Sequence, residues 1–487
     1  MRRAIRLVAA VIALVICVNG IAVNESDAAK NVSINKKKLT LMVGESAQLK
    51  LNNVSKKDAK SVKWKSSDKK VASVNKTGLV KGKSKGKAKI TARYKKKNYT
   101  CKVTVKKDSK PASSYDILFL NSNDDRIRCR FSDDFFTEDS TVYNKELAKC
   151  SLATALLSER IIIPSSEGGD KSDLEKLTES FGFMGFSVND EHKNTPTEDS
   201  VGVACAYKKQ GKTTIVAVLF RSTEYDSEWV SNMDMGDGSA ILNHEGFELS
   251  RRKVSEFILN YLDQHNIDGK IKFWVTGQSR GAAIANLTSA WLVGDEAAGN
   301  GIKASKKTVY AYCFATPLAA FAGIGTDRND LVTGYENIHN MIFDRDLVSR
   351  IPPKEFGFGI YGVTERGKYG TDENEVKNVL KQIDETAYNA FTDAEGKDYG
   401  GMSRSDWVDS YAKQLAELVG DRKTYTEEWQ DTFTYGVLLL FTKTTPTVKP
   451  DQKKLVQLMN MLASGGATLF VDHYPQTEYA YIATGVS

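Results

Sequence analysis

The pentapeptide Gly277-Gln278-Ser279-Arg280-Gly281 is where residue types and spacing in this chain could first do chemistry. A serine hydroxyl becomes a nucleophile when a base takes its proton, and it must stand clear of its neighbours to meet a carbonyl carbon. Glycines on both sides allow the tight bend that would thrust Ser279 outward. The pentapeptide alone is weak evidence: with each fixed residue at about 7% of positions, a chain of 487 residues shows one by chance roughly one time in six. Its setting carries the weight. The run Ile271 to Thr276 reads as a strand directly before it, and Ala282 to Leu292 as a helix directly after it, which is the strand-turn-helix that a nucleophile elbow requires.

With such an elbow the partners follow in the order serine, acid, histidine. Only His339 and His473 lie beyond Ser279. His339 falls inside the apolar run Ile338 to Phe343, ahead of any acid at its end, so His473 is the base by elimination. Asp344 and Asp346 both follow that run, at the strand end where the sites of open α/β sheets assemble, and spacing does not choose between them.

The elements that must position these groups are legible as a pattern. Val201 to Tyr207, Thr213 to Phe220, Ile271 to Thr276, Val309 to Ala315 and Ile338 to Phe343 read as strands. Phe247 to Leu262 places Val254, Ile258 and Leu262 at the four-residue spacing of a helix packed on a sheet. Strands alternating with helices predict an α/β fold, with a mostly parallel sheet covered on both faces.

The bulk of the chain adds constraints. At 487 residues, 41% apolar and 26% charged, it exceeds what one core usually serves, so at least two folded units are expected. Arg2, Arg3 and Arg6, the apolar stretch Leu7 to Val18, and small residues at Ser26, Ala28 and Ala29 read as a cleaved secretory signal over residues 1–29. That stretch is well short of the about 20 residues a membrane span needs, so a secreted protein without a stable membrane span is expected. Cys101, Cys129, Cys150, Cys205 and Cys313 are widely spaced, with no Cys-x-x-Cys pair and no histidine at ligand spacing. Neither a zinc site nor a disulfide framework is indicated, Cys129 with Cys150 being the one pairing left open, and no metal or organic cofactor is expected.

The net charge of +7 is unevenly divided. Between Lys30 and Lys110 stand 25 Lys and one Arg against four acids, a net of +22, whereas residues 111–487 carry −16. Two modules with different partners follow from that asymmetry. In the basic module apolar residues alternate in short bursts, among them Leu39, Leu41, Val43, then Ala88, Ile90, Ala92, then Cys101, Val103, Val105, as half-buried antiparallel strands do. The lysines fall mostly between the inward positions and project outward. Val62-x-Trp64-x-Ser66-Ser67-Asp68-x-x-Val71-Ala72-x-Val74, then Gly78-x-Val80-x-Gly82, then Gly86-x-Ala88-x-Ile90-Thr91-Ala92 resembles the group 2 bacterial immunoglobulin-like domain. The resemblance implies a small β-sandwich over residues 30–106, used at bacterial surfaces. Its outward charge either holds the protein to anionic cell-envelope polymers or is a solubilising face with no partner. No nucleic-acid recognition motif accompanies the charge. Lysines, serines and Pro111 mark a linker at 107–114, with a second domain over 115–487.

A second resemblance spans Val201 to about Tyr361. Phe220-Arg221-Ser222-Thr223, Trp229 and Asp234, His244-Glu245-Gly246-Phe247, Val275 to Gly281, and Asp346-x-Val348-x-x-Ile351-Pro352, with His473 near the end, resemble the class 3 lipase family in content and order. The family implies an α/β-hydrolase cleaving acyl esters with Ser279, Asp346 and His473, and an oxyanion held by the backbone N–H groups of Thr223 and Arg280. It implies a lid over Glu224 to Asn232 and a structural role for His244. Ser222 and Ser349 depart from the family, which usually has Gly and Pro there. Between Asp346 and His473 the chain is longer than the family's, and Asn374 to Phe391 and Ser405 to Leu418 look helical, predicting a helical insertion around 362–460. Glycerides are the expected substrates. Phospholipids or acylated carbohydrates are the alternative, and a surface adhesion protein with an inactive hydrolase domain is the reading from a different class.

Overall fold

The computed structural model describes residues 32–42, 46–106, 113–118, 126–158, 172–189, 197–223, 226–325, 329–365, 372–441 and 448–484, so the secretory segment expected over 1–29 lies outside the described residues. The chain divides into two compact units, Met1–Ser109 and Lys110–Ser487.

In the first unit, strands β1 (Lys38–Met42), β2 (Lys63–Ser66), β3 (Gly86–Tyr94) and β4 (Lys97–Lys106) form a sheet in the order β1-β4-β3-β2. β1 runs parallel to β4, and the other pairings are antiparallel. A three-stranded sheet of Ser46–Gln48, Leu79–Gly82 and Ala72–Val74 faces a core of Leu41, Leu49, Val80, Ile90, Cys101 and Val103. Along β3 the period of two is strict: Ala88, Ile90, Ala92 and Tyr94 are buried, while Lys87, Lys89 and Arg93 are exposed.

The second unit is built on a seven-stranded sheet whose spatial order follows the chain: β5 (Met184–Val188), β6 (Val203–Gln210), β7 (Thr213–Phe220), β8 (Lys270–Gln278), β9 (Val309–Phe314), β10 (Ile338–Met341) and β11 (Val363–Thr364). The first two pairings are antiparallel and the remaining four parallel. The central strands are apolar on both faces, as a sheet sandwiched between helices requires. Ile215, Ala217, Leu219, Trp274, Tyr310, Tyr312 and Phe314 enter one core, and Val216, Val218, Phe220, Phe273, Val275, Ala311 and Cys313 enter the other. The first face is covered by α1 (Lys145–Ser158), and the second by α3 (Glu245–Gln264) and α4 (Arg280–Leu292), with α2 (Asp226–Met233) packed on α3.

Beyond β11 the described residues form five α-helices ahead of the C-terminal one: α5 (Glu373–Ile383), α6 (Glu385–Glu395), α7 (Arg404–Val419), α8 (Glu427–Phe441) and α9 (Gln452–Gly465). They precede a short turn carrying His473 and the terminal α10 (Pro475–Thr484). Side chains capping the first N–H groups, Asp372 for α5, Asp384 for α6, Ser403 for α7 and Asp451 for α9, explain why these helices start where they do. Gly436 lets α8 and α9 approach closely, since a Cβ there would sit 3.1 Å from Leu458.

Cys101, Cys205 and Cys313 are buried thiols, and the buried Cys150 Sγ lies 3.1 Å from the Arg130 carbonyl; the side chain of Cys129, its candidate partner, lies outside the described residues. Among the described residues no helix is long and apolar enough to cross a membrane, and no group of three His, Cys, Asp or Glu could hold a metal ion.

Candidate active site

The site is assembled at the carboxyl ends of β7, β8 and β10. β8 runs straight into Ser279, whose φ of 55° and ψ of −125° are a conformation rare for a residue with a side chain. Two glycines make that bend sterically open. A Cβ on Gly277 would lie 2.4 Å from the Gly281 carbonyl, and one on Gly281 would lie 2.5 Å from the Arg221 carbonyl at the end of β7. Ser279 is therefore half-exposed while its neighbours Gln278 and Arg280 are buried.

Ser279 Oγ lies 2.9 Å from His473 Nε2, and His473 Nδ1 lies 3.0 Å from Asp346 Oδ2. Asp346 is fully buried, and its carboxylate also accepts from the Val348 N–H at 2.9 Å and the Ser349 hydroxyl at 2.6 Å. Ser349, where the resemblance calls for proline, thus holds the acid in place with a hydroxyl. Burial works against a charged imidazole at His473, but the Asp346 charge and hydrogen bond, together with the Glu478 charge, outweigh it and raise its pKa above the ordinary 6.5. Such a chain can pass the serine proton to the imidazole and stabilise the imidazolium that results. Asp344, the acid that spacing left level with Asp346, receives Arg350 and the Ser405 hydroxyl on its backbone carbonyl.

Arg280 opens α4, so its backbone N–H has no intrahelical acceptor and remains available beside Ser279. Thr223 follows β7 on the neighbouring strand end. The two residues are tied together through Asn232, whose Nδ2 donates to Thr223 Oγ1 at 2.9 Å and whose Oδ1 accepts from Arg280 Nη1 at 2.7 Å. The Arg280 side chain is buried; its Nη1 also donates to Ser231, and its Nη2 to Ser250 and the carbonyls of Glu198 and Ser200. Burial draws its pKa down to about 10, with the Glu228 charge opposing and the Arg221 charge reinforcing that shift, so it stays cationic at neutral pH. Beside it Arg221 and Glu228 form an ion pair at 2.6 Å, with side chains 1% and 0% exposed.

That ion pair bears on the expected flap over Glu224 to Asn232. Residues 226–233 form a helix with Glu228 and Ser231 buried, while residues 224 and 225 lie outside the described residues. The inserted helices cover it. Gln430 Nε2 donates to the Val230 carbonyl at 3.3 Å, the Tyr425 hydroxyl donates to the Met233 carbonyl at 2.6 Å, and α8 packs along it. Arg422 donates to the carbonyls of Met235, Gly236, Ile241, Leu242 and Asn243, pinning the loop that follows. In this structure the segment is an anchored layer between sheet and insertion, because the insertion supplies the partners a free amphipathic flap would lack.

The insertion also reaches the histidine. Asp472, adjacent to His473 and fully buried, pairs with Arg404 of α7, lies 3.8 Å from Arg345 Nε, and accepts from the Tyr481 hydroxyl at 2.5 Å. Glu395 of α6 bridges both arginines, at 2.5 Å to Arg345 and 2.8 Å to Arg404. Gln278 Nε2, one residue before the serine, donates to Glu478 Oε1 at 3.0 Å and to the His473 carbonyl at 3.3 Å. Sequence reasoning missed Asn232, Glu228, Arg404, Asp472 and Glu478. Asp472 directly follows the apolar run Leu469 to Val471, whereas Glu228, Asn232 and Arg404 stand among polar neighbours and gave no signal along the sequence.

The other two strongly placed histidines are structural. His339 is buried on β10 between Glu365, at 2.6 Å, and the Ser140 carbonyl, at 2.9 Å. His244 is buried at the start of α3 and stacks on Phe247, and burial, aided by the Arg422 and Arg280 charges, pushes its pKa to about 3.

A mostly parallel sheet with helices on both faces and a serine on a strained strand-to-helix turn defines an α/β-hydrolase. Residues 209–356 match the class 3 lipase family and residues 28–110 match the group 2 bacterial Ig-like domain, so the chain joins a lipase-type carboxylic ester hydrolase to a bacterial Ig-like module. Among solved structures, a fungal lipase described for an unusual buried polar cluster is similar at 21% identity over 45% of this chain and 78% of its own, with a TM-score of 0.30. The Lip2 lipase from Yarrowia lipolytica is similar at 13% identity over 49% of this chain and 81% of its own, also at 0.30. The surface layer protein SbsC, domains 1–6, is similar at 16% identity over 23% of this chain, with a TM-score of 0.16, and this chain spans 19% of its length. No curated protein matches.

Proposed function

We propose that this chain is a secreted lipase that cleaves acyl esters of glycerides, with Ser279 as nucleophile, His473 as base and Asp346 as the acid that orients it. The hydrogen-bonded run from Ser279 through His473 to Asp346, at 2.9 and 3.0 Å, is the single observation that carries the reading. Ser279 Oγ attacks the ester carbonyl carbon as its proton passes to His473 Nε2, and the backbone N–H groups of Thr223 and Arg280 hold the oxyanion. The intermediate collapses as the imidazolium returns the proton to the leaving alcohol oxygen. A water activated by the same imidazole then releases the carboxylic acid and restores the serine. In the same reading, the basic first unit holds the enzyme at anionic polymers of the cell envelope.

The test is fluorophosphonate labelling of the intact chain beside Ser279→Ala, followed by a panel of triglyceride, phospholipid and acetylated glycan. Label on the wild type alone and highest turnover on triglyceride are the expected results. An unlabelled Ser279 in the folded wild type rejects the enzyme mechanism, and preference for either of the other substrates rejects the glyceride assignment.

A further inference from the structure

The outer face of the β1-β4-β3-β2 sheet is hollowed into a groove of about 620 Å³ whose lining includes Lys38, Thr40, Lys87, Lys89, Lys102 and Thr104. Register explains how they come together. Lys38 lies opposite Lys102, and Lys102 lies opposite Lys89, so one row across three adjacent strands consists entirely of lysines. The next row on the same face is Thr40, Thr104 and Lys87, two residues along each strand. The result is a lattice of four ammonium groups and two hydroxyls, with rows set by strand spacings of about 4.8 Å.

Like charges placed directly opposite on a sheet destabilise it. No acidic side chain lines this groove to offset them, and the four lysines are exposed to solvent. A sheet that needed only solubility could have dispersed its lysines or alternated them with acids, so the row points to a ligand that supplies the missing negative charge. The lining holds neither arginine, whose planar fork suits carboxylates, nor any aromatic ring, on which nucleic-acid bases stack. Lysine acts as a compact point charge toward phosphate, and the threonine hydroxyls can donate to phosphate or polyol oxygens.

We infer that this groove binds a phosphodiester-linked polyol polymer, with the Lys38-Lys102-Lys89 row as its main contact. The inference rests on the reading of the first unit as an envelope anchor, and is independent of the hydrolase chemistry.

The experiment titrates the full chain with poly(glycerol phosphate), polygalacturonate and single-stranded DNA at about 50 and 300 mM salt, where screening lengths differ more than twofold. It compares the wild type with K38Q/K89Q/K102Q and with K69Q/K76Q/K81Q, which removes the same charge from exposed positions off the groove. The expected result is tightest binding to poly(glycerol phosphate), weakened at least about tenfold by salt and about tenfold by the groove variant, with the control variant within about threefold of wild type. The groove variant should melt at or above the wild-type temperature, since it loses cross-strand repulsion. Equal losses in the two variants overturn the groove and leave the anchor reading standing on net charge alone. Equal or tighter binding of DNA or polygalacturonate overturns the assigned ligand, and no wild-type binding to any of the three rejects the anchor reading itself.

Discussion

Arg404 reaches from the inserted helix α7 to the turn that carries His473, and cutting that tie should slow catalysis before it unfolds the protein. Its guanidinium pairs with Asp472, which is fully buried and immediately precedes His473. Removing one partner of a buried pair leaves an uncompensated charge and typically costs about 3–5 kcal/mol. Arg345, with Nε 3.8 Å from Asp472 Oδ1, and the Tyr481 hydroxyl remain, so Arg404→Met belongs at the lower end, about 3 kcal/mol. Against a global stability of about 5–15 kcal/mol the chain stays folded in buffer. The melting temperature should still fall by several degrees, about 6–12 °C at 2–4 °C per kcal/mol. The catalytic effect is separate. His473 Nε2 stands 2.9 Å from Ser279 Oγ, and a displacement of about 1 Å takes that contact beyond hydrogen-bond range and can cost on the order of 100-fold. At 25 °C, kcat on a soluble short-chain nitrophenyl ester should therefore drop about 10- to 100-fold with KM within about twofold, because Arg404 acts on the turn that carries the base. Adding Asp472→Asn should restore most of the lost stability by removing the orphaned charge, without restoring kcat. If Arg404→Met melts early yet keeps the wild-type kcat, the clamp only stabilises the insertion and the positioning argument is refuted.

Three further outcomes follow from the same geometry. Because the His473 pKa is raised and the base must be neutral, kcat/KM should climb with pH through a midpoint above 6.5; Asp346→Asn should carry that midpoint downward and reduce kcat on the order of 10⁴-fold, as read from pH–rate profiles. Ser349→Ala removes a 2.6 Å donor from Asp346, a charge-assisted bond of about 1.5–3 kcal/mol at most, so kcat should fall by no more than about 100-fold. The midpoint should shift slightly upward there as negative charge concentrates on the histidine side, and an unchanged profile would show that the hydroxyl does not tune the acid. Gly281→Ala places a Cβ 2.5 Å from the Arg221 carbonyl and must push the Thr223 strand end away from Arg280, so steady-state hydrolysis should fall about 100- to 1,000-fold while a circular dichroism spectrum stays native.

The insertion changes what the lipase-type core can do with its own loops. In the described residues its helices α7, α8 and α9 share cores with Leu347 and Ile351 next to the acid and with Met235, Phe356 and Phe358 around the following loop. Apolar burial there is continuous with the site, so the insertion acts as part of its wall. The two ends of that wall are held by charge, Arg422 on the loop carbonyls and Arg404 on Asp472, because carbonyls and carboxylates left bare in such a layer would each cost the free energy of an unmet hydrogen bond.

By itself the amino-acid order determined what depends on neighbours along the chain. The strand-turn-helix around Ser279 was readable because both flanks are apolar and the turn needs glycine, and the alternation of β3 was readable because a half-buried strand repeats every two residues. The helical character of 374–391 and 405–418 followed from the same periodicity, the structure placing helices at Glu373–Ile383, Glu385–Glu395 and Arg404–Val419. Only the tertiary structure decided what depends on which chain ends meet. Spacing left Asp344 and Asp346 level, and it is the packing of the terminal turn that brings the Asp346 carboxylate to His473 from 127 residues away. It also decided that residues 226–233 are clamped, since the covering side chains of Tyr425 and Gln430 arrive from about 200 residues further on. The lysine row has the same origin: three positions unremarkable along the sequence become neighbours because strand register is set by which faces are buried, and charge in one strand carries no record of the charge it will face in the next.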